Sequence, residues 1–309
     1  MIVHALIFLA GLAVLLFSAR YFTKAAEKLG THFGLPQFVV GVFIVGIGTS
    51  LPELVSAIVS VRNGVSEIVP GNVFGSNISN LLLLTGAVAV INRNDIHLGS
   101  KYIYIDLHFL LGGFFMLAII TMDGQVCWHE GLFGVAAFLI FSFYLLKHHD
   151  TEQEGELAQR TKLPWIQVGI LILGGLGIYL GAEYAVNNLS LLAIDFQLPA
   201  SVVALTVLSL GTTLPELAVN ISAIREGKAE MAIGNVLGSC VFNSMAVPAI
   251  AAFFGDITVP QNLLDFSLPV MMGAGLFFYL LTHDKKISPW EGALFLVLYG
   301  LFIFKVAVA

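Results

Sequence analysis

The sequence predicts an all-α integral membrane protein: ten transmembrane helices arranged as two inverted-topology five-helix repeats. Three observations predict it. Of the 309 residues, 58% are hydrophobic and 11% charged, against about 25% charged in soluble domains, and the mean hydropathy is +0.91. The apolar runs are far longer than the roughly ten residues of a barrel strand and lack its alternation, so the spans are helical. Residues 36–80 also align without gaps on 199–243 at a constant offset of 163, with 19 of 45 positions identical. These features exclude an ordinary soluble enzyme and a disordered chain. With 14 Lys and Arg against 20 Asp and Glu, there is no basic footprint for nucleic acid. Cys127 and Cys240 form neither a metal-site spacing nor a disulfide framework.

In chain order the expected spans run about 2–23, 38–61, 67–91, 103–121, 128–146, 164–187, 200–224, 229–253, 265–282 and 289–308. The first lacks a basic residue ahead of its apolar stretch and has a partner in the sixth, so it is a mature helix and not a signal peptide. The second, third, seventh and eighth are rich in Gly, Ser, Thr and Asn, and the second and seventh carry Pro and Glu at mid-span. Between the fifth and sixth lies a hydrophilic loop with His148, His149, Asp150, Glu152, Glu154 and Glu156. It reads as a solvated acidic linker without EF-hand spacing. The domains are therefore 1–146, the linker 147–163, and 164–309.

Basic residues set the orientation. With the N-terminus outside, Arg20, Lys24, Lys28, Arg93, Lys101, Lys147, Arg160, Lys162, Arg225, Lys228, Lys285 and Lys286 are cytoplasmic, and only Arg62 and Lys305 lie outside. The expected location is the plasma (cell inner) membrane, with both termini outside and the linker in the cytoplasm. Five spans per half is an odd number, so the halves enter the membrane from opposite sides; Arg62 and Arg225, equivalent by alignment, fall on opposite faces. Inverted repeats with interrupted helices are the architecture of secondary transporters, which bind cargo at mid-membrane between the repeats.

The repeated motif carries the chemistry. Gly48-Thr49-Ser50-Leu51-Pro52-Glu53-Leu54 matches Gly211-Thr212-Thr213-Leu214-Pro215-Glu216-Leu217. Further on, Gly71-Asn72-Val73-Phe74-Gly75-Ser76-Asn77-Ile78-Ser79-Asn80 matches Gly234-Asn235-Val236-Leu237-Gly238-Ser239-Cys240-Val241-Phe242-Asn243. A carboxylate at mid-span costs about 2.5–3.5 kcal/mol on insertion scales. Glu53 and Glu216 have no basic residue near them in their spans, so they call for protons or metal cations. Pro52 and Pro215 lack N–H groups and free the carbonyls of Gly48 and Gly211, loosening those of Thr49 and Thr212; such oxygens suit hard cations. Thr49 with Glu53, Thr212 with Glu216, Ser76 with Asn80 and Ser239 with Asn243 are spaced i, i+4, each pair on one helix face. Converged, they make an oxygen cage without His or thiolate, unsuited to zinc or copper. The G-x-x-x-G glycines Gly71, Gly75, Gly234 and Gly238 read as close helix packing, and Cys240 as a packing residue.

In these motifs the chain resembles the cation/calcium exchanger superfamily, and within it the prokaryotic sodium/calcium exchangers, whose hallmark is a pair of repeats with G-T-S-x-P-E and G-N-x-x-G-S-N. The resemblance implies that Glu53 and Glu216, with the carbonyls of Thr49 and Thr212, hold Ca²⁺. Ser50, Ser76, Thr213 and Ser239 would complete flanking Na⁺ sites, and the carbonyls of Gly46 and Ser209 the outermost ones. Asn80 and Asn243 would line the centre. The first and sixth spans would slide as a gating pair. Three departures stand out: Thr213 for the usual Ser, Cys240 for Asn, and Asn243 where some relatives carry Asp.

The expected function is secondary-active antiport of Na⁺ against Ca²⁺ by alternating access, with transported Na⁺ and Ca²⁺, a lipid bilayer as surroundings, no cofactor, no nucleic acid, and a working monomer. The alternative is proton-coupled exchange of Ca²⁺ or another divalent cation on the same scaffold. A channel would need a continuous pore, and an intramembrane enzyme a nucleophile or metalloprotease motif that is missing.

Overall fold

The computed structural model describes residues 1–32, 47–98, 100–148, 164–225 and 229–308. The expected start of the second span, most of the acidic linker and the Arg160, Lys162 and Lys228 positions lie outside the described residues. What is described is mostly helical: α1 (Ile2–His32), α2 (Leu51–Arg62), α3 (Ile68–Ile78), α4 (Thr85–Asn92), α5 (Ser100–Thr121), α6 (Trp128–His148), α7 (Trp165–Phe196), α8 (Leu214–Arg225), α9 (Ala229–Met245), α10 (Val247–Ala251), α11 (Leu268–Leu281) and α12 (Pro289–Val308). Short turns Ile47–Thr49, Ala200–Val203 and Ser209–Thr212 precede the breaks before α2 and α8.

Among the described residues, six helical stretches are long and apolar enough to cross a membrane: Ile2–Gly30, Ile68–Asn92, Trp165–Phe196, Ala232–Phe254, Leu263–Asp284 and Pro289–Val308. Leu107–Thr121, Trp128–Tyr144 and Ala200–Thr212 are shorter apolar helices. The sequence offset is visible in the backbone: adding 163 to the bounds of α2 gives those of α8.

The helices sort into an inner and an outer set. The apolar windows in Ile68–Asn92 and Ala232–Phe254 are 78% and 83% buried, those in α7 and α12 only 22%. Leu6, Leu9, Phe17, Ile172, Leu173 and Phe304 expose their apolar side chains, a surface that lipid covers at little cost and water does not. The larger core cluster joins Phe74, Phe114, Phe278 and Phe295. A second cluster, with Phe8, Leu15, Leu189 and Leu208, lies along α1 and α7.

The two outer helices are longer than their hydropathy suggests. Helix α1 continues past residue 23 to His32, and α7 past 187 to Phe196. Lys24, Glu27 and Lys28 drop out of a hydropathy window but are good helix formers, and Ala25 between them is buried. The pair crosses through small residues. A Cβ added to Gly181 would stand 2.5 Å from the Leu15 nitrogen, and one on Gly11 would stand 2.9 Å from the Ala185 nitrogen. The backbones thus touch directly, as small residues allow in membrane helices.

Two short antiparallel strand pairs link the halves. β1 (Ile96–His97) pairs with β4 (Lys286–Ile287), and β2 (Gln125–Val126) with β3 (Ile257–Thr258). Each pair takes one strand from each half.

Candidate functional site

The prolines shape the site. Helix hydrogen bonding is interrupted at Ser50 and Thr213, two residues before Pro52 and Pro215. Proline serves well in the first turn of a new helix, where its missing N–H has no partner to lose. The prolines therefore mark a break, with α2 and α8 each restarting just ahead of its glutamate. Thr213 bridges its break twice: its N–H and its hydroxyl both donate to the Ser209 carbonyl, at 3.0 and 2.6 Å. The glycine of each motif backs onto α1. A Cβ on Gly48 would meet Thr23 Oγ1 at 2.3 Å, and one on Gly211 would meet Leu12 Cδ2 at 2.5 Å.

The two glutamates sit at the starts of α2 and α8, 1% and 0% exposed. They are near enough for their charges to repel. Each faces a hydroxyl of the other half: Ser50 Oγ donates to Glu216 Oε1 at 3.2 Å, and Thr212 lies beside Glu53. Both Glu53 carboxylate oxygens and Glu216 Oε2 are buried without a hydrogen-bond partner among the described residues. Neither glutamate joins an ion pair there.

The remaining expected residues are buried as well: Thr49, Ser76, Asn80, Ser209, Thr212, Thr213, Ser239 and Asn243. Ser76 Oγ, Ser239 Oγ and both amide atoms of Asn80 and of Asn243 lack partners in the same way. Unpartnered polar atoms at this depth are costly, and so many in one region is a pattern that bound ions would relieve. The Ser209 carbonyl is different, since Thr213 already occupies it. Gly46 lies outside the described residues. Among the described residues no cluster of three His, Cys, Asp or Glu could hold a metal ion; the cage is made of hydroxyls, amides and two carboxylates.

Glycines bring the halves together here. A Cβ on Gly71 would come within 2.3 Å of the Ser201 carbonyl, and one on Gly75 within 2.2 Å of the Leu205 carbonyl. Close packing at these two positions is as expected. A Cβ added to Gly238 would meet no described atom within 4 Å beyond its own stretch of helix; residues 42–46, equivalent to the chain that packs on Gly75, are outside the described set.

Three polar residues at the site were not expected. Asn72 Oδ1 accepts from Thr212 Oγ1 at 3.5 Å. Asn220, one turn past Glu216 and fully buried, accepts at Oδ1 from Asn235 Nδ2 at 3.0 Å. The repeated Gly-Asn of both motif copies was a signal for Asn72 and Asn235, and the i, i+4 spacing from Glu216 was one for Asn220. Cys240 is buried close to Asn80 and Glu216, so it borders the cage despite lying off the repeated face.

The sequence-family model described as "Sodium/calcium exchanger protein" matches residues 3–147 and 166–308, one match to each half. An uncharacterized membrane protein of Methanocaldococcus jannaschii is 30% identical over 293 residues, covering 94% of each chain. The sodium/calcium exchanger MaX1 of Methanosarcina acetivorans is 28% identical over 97% of each. A structure of the sodium-calcium exchanger NCX_Mj, soaked with Na⁺ and Sr²⁺, superposes with a TM-score of 0.68 at 29% identity, covering 98% of each chain. The two named relatives are exchangers and not enzymes. Matched in both halves and over nearly its full length, this chain belongs to the sodium/calcium exchanger protein family.

Proposed function

We propose that the chain is a secondary-active antiporter that exchanges Na⁺ for Ca²⁺ by alternating access at a mid-membrane oxygen cage. One observation carries the reading: Glu53 and Glu216 are both buried where the halves meet, with three of four carboxylate oxygens unpartnered among the described residues. Two adjacent anions in a low-dielectric interior require protons or cations. Two carboxylates neutralise one Ca²⁺, and several Na⁺ can share the same groups; occupancy by one ion excludes the other and couples the fluxes. Glu53, Glu216 and the carbonyls of Thr49 and Thr212 hold Ca²⁺. Ser50, Ser76, Thr213 and Ser239 complete Na⁺ sites, Asn80 and Asn243 line the centre, and the outer sites take the Gly46 carbonyl and, once the Thr213 hydroxyl turns away from it, that of Ser209. The membership of the family and the similarity to NCX_Mj support Na⁺ as the coupling ion.

The ten spans form two inverted five-helix repeats, 1–146 and 164–309, around the cytoplasmic linker 147–163. Both termini lie outside the cell inner membrane, and one chain suffices for transport. Helices α1 and α7 slide as the gating pair. Asn243 contributes no charge, so the cage holds two negative charges and needs no K⁺.

The test is Ca²⁺ uptake into proteoliposomes under imposed Na⁺, H⁺ and K⁺ gradients, with choline as the replacement cation. Uptake should follow the Na⁺ gradient at fixed pH and persist without K⁺. If three Na⁺ exchange for one Ca²⁺, it should also respond to membrane potential. Uptake that follows only the proton gradient would replace this reading with proton-coupled exchange.

A further inference from the structure

Helix α2 has Glu53 in its first turn and ends at Asn63, about 15 Å further along the axis at 1.5 Å per residue. At that far end Asn63 meets α7. Asn63 Nδ2 donates to Glu183 Oε1 at 3.1 Å and to Asn187 Oδ1 at 2.9 Å, and Asn187 Nδ2 donates to the same Glu183 oxygen at 3.1 Å. The three side chains close a ring, with one carboxylate oxygen as its double acceptor.

Beside the ring, α2 and α7 share an apolar cluster: Val59, with Leu51 and Val55 packed alongside, joins Ile178, Val186 and Leu189. Apolar contact is non-directional, so it tolerates one helix moving along the other. Hydrogen bonds to a carboxylate are directional and stronger than neutral ones; the ring is thus what marks one register of α7 on α2. Helices α1 and α7 touch backbone to backbone through Gly11 and Gly181, so whatever holds α7 also holds α1. On the other half, Glu226, the counterpart of Asn63, lies outside the described residues. The positions 163 before Glu183 and Asn187 are Arg20 and Lys24, both exposed.

We propose that Glu183 is a positioning residue: with Asn63 and Asn187 it clasps the α1–α7 pair to the far end of the Glu53 helix and weights one access state over the other. The inference rests on the alternating-access reading above. A clasp made in one register must open when the pair slides, so its strength enters the equilibrium between states and not the ion site itself.

The test uses the full chain in right-side-out and inverted vesicles and measures isotopic Ca²⁺/Ca²⁺ exchange, which involves no Na⁺. The readout is the ratio of half-saturating Ca²⁺ on the two sides. Asn63→Asp, which sets like charges together, and Glu183→Ala should shift the ratio in one direction by about fivefold, the weight of one net hydrogen bond. Asn63→Lys, which adds an ion pair to Glu183, should shift it the other way, and Asn63→Lys/Glu183→Ala should lose that shift. Ratios within about twofold of the parent in every variant, or Asp and Lys shifting together, would overturn the clasp. If the parent chain shows no Ca²⁺ self-exchange, the antiport reading fails by itself. Hydrogen exchange at residues 59–63 then decides the clasp: amide protection lost with Asn63→Asp and kept with Asn63→Lys supports it, and equal protection in both overturns it.

Discussion

The first half carries its motif on α2 and α3, the second on α8 and α9, and the two pairs diverge one turn away from their glutamates. At the glutamates they agree: both helices restart one residue before a proline, and each carboxylate faces a hydroxyl of the opposite half. One turn on, the first half has Ala57 and the second Asn220. Asn72 consequently reaches the site and accepts from Thr212, whereas its counterpart Asn235 is drawn off by Asn220. Where α3 gives way to a π-helical stretch at Ser79–Leu84, α9 runs on as regular helix to Met245 and stops short of Pro248. The difference teaches where symmetry matters. Groups that share a charge must match, because either half left alone is an uncompensated carboxylate. The uncharged groups one turn away share no such burden and are free to differ.

The largest expected effect tests the matched part. Glu53→Gln and Glu216→Gln each keep shape and remove one charge, and each should reduce Na⁺-driven Ca²⁺ flux to near background. Flux retained in one of them would break the equivalence of the halves. Next comes Gly75→Ala, whose Cβ would lie 2.2 Å from the Leu205 carbonyl. Overpacking of that kind costs about 1–3 kcal/mol, so thermal unfolding in detergent should move down by several degrees and exchange should fall. Gly273→Ala and Gly300→Ala, where the added Cβ would meet no described atom within 4 Å beyond its own stretch of helix, should leave both unchanged. Asn220→Ala makes the second half resemble the first and releases Asn235. Half-saturating Ca²⁺ should change by about two- to fivefold, the weight of a single hydrogen bond; an unchanged value would deny that the Asn220–Asn235 pair bears on the site. The smallest effect is that of Tyr299→Phe. It removes the hydrogen bond between Ser79 Oγ and Tyr299 OH at 3.3 Å, worth about 0.5–1.5 kcal/mol, and should lower stability slightly without altering exchange.

Much of this was legible before any coordinates. The proline positions announce the two breaks because a missing N–H acts locally. The offset of 163 announces the matching bounds of α2 and α8 because the repeat is ungapped there. Burial of Glu53, Ser76 and Asn80 follows from motif spacing. What escaped was tertiary. The continuation of α1 to His32 depends on Ala25 packing inward beneath a polar stretch, which hydropathy averages away. Asn220 lies in a copy-specific position, so a search for repeated residues passes over it. Cys240 looked like packing because it lies off the i, i+4 face; only the approach of Asn80 from the other half brings it to the cage. Asn77, its counterpart, is instead tied to Ser244 Oγ at 3.1 Å, a partner 167 residues away that no local pattern encodes.

The strand pairs bear on how the chain is made. Ile96 pairs with Ile287 and Gln125 with Thr258, so neither first-half strand has its partner until the second half exists. At a synthesis rate of about 5–20 residues per second, the 191 residues between Ile96 and Ile287 take about 10–40 s to appear. For that time β1 keeps an open edge, while Glu53 waits for Thr212 and Gln125 for Thr258, 159 and 133 residues further on. Ribosome pausing in the second half would lengthen this interval, and the nascent first half would be the form most exposed to membrane proteases and to pairing with another chain's second half.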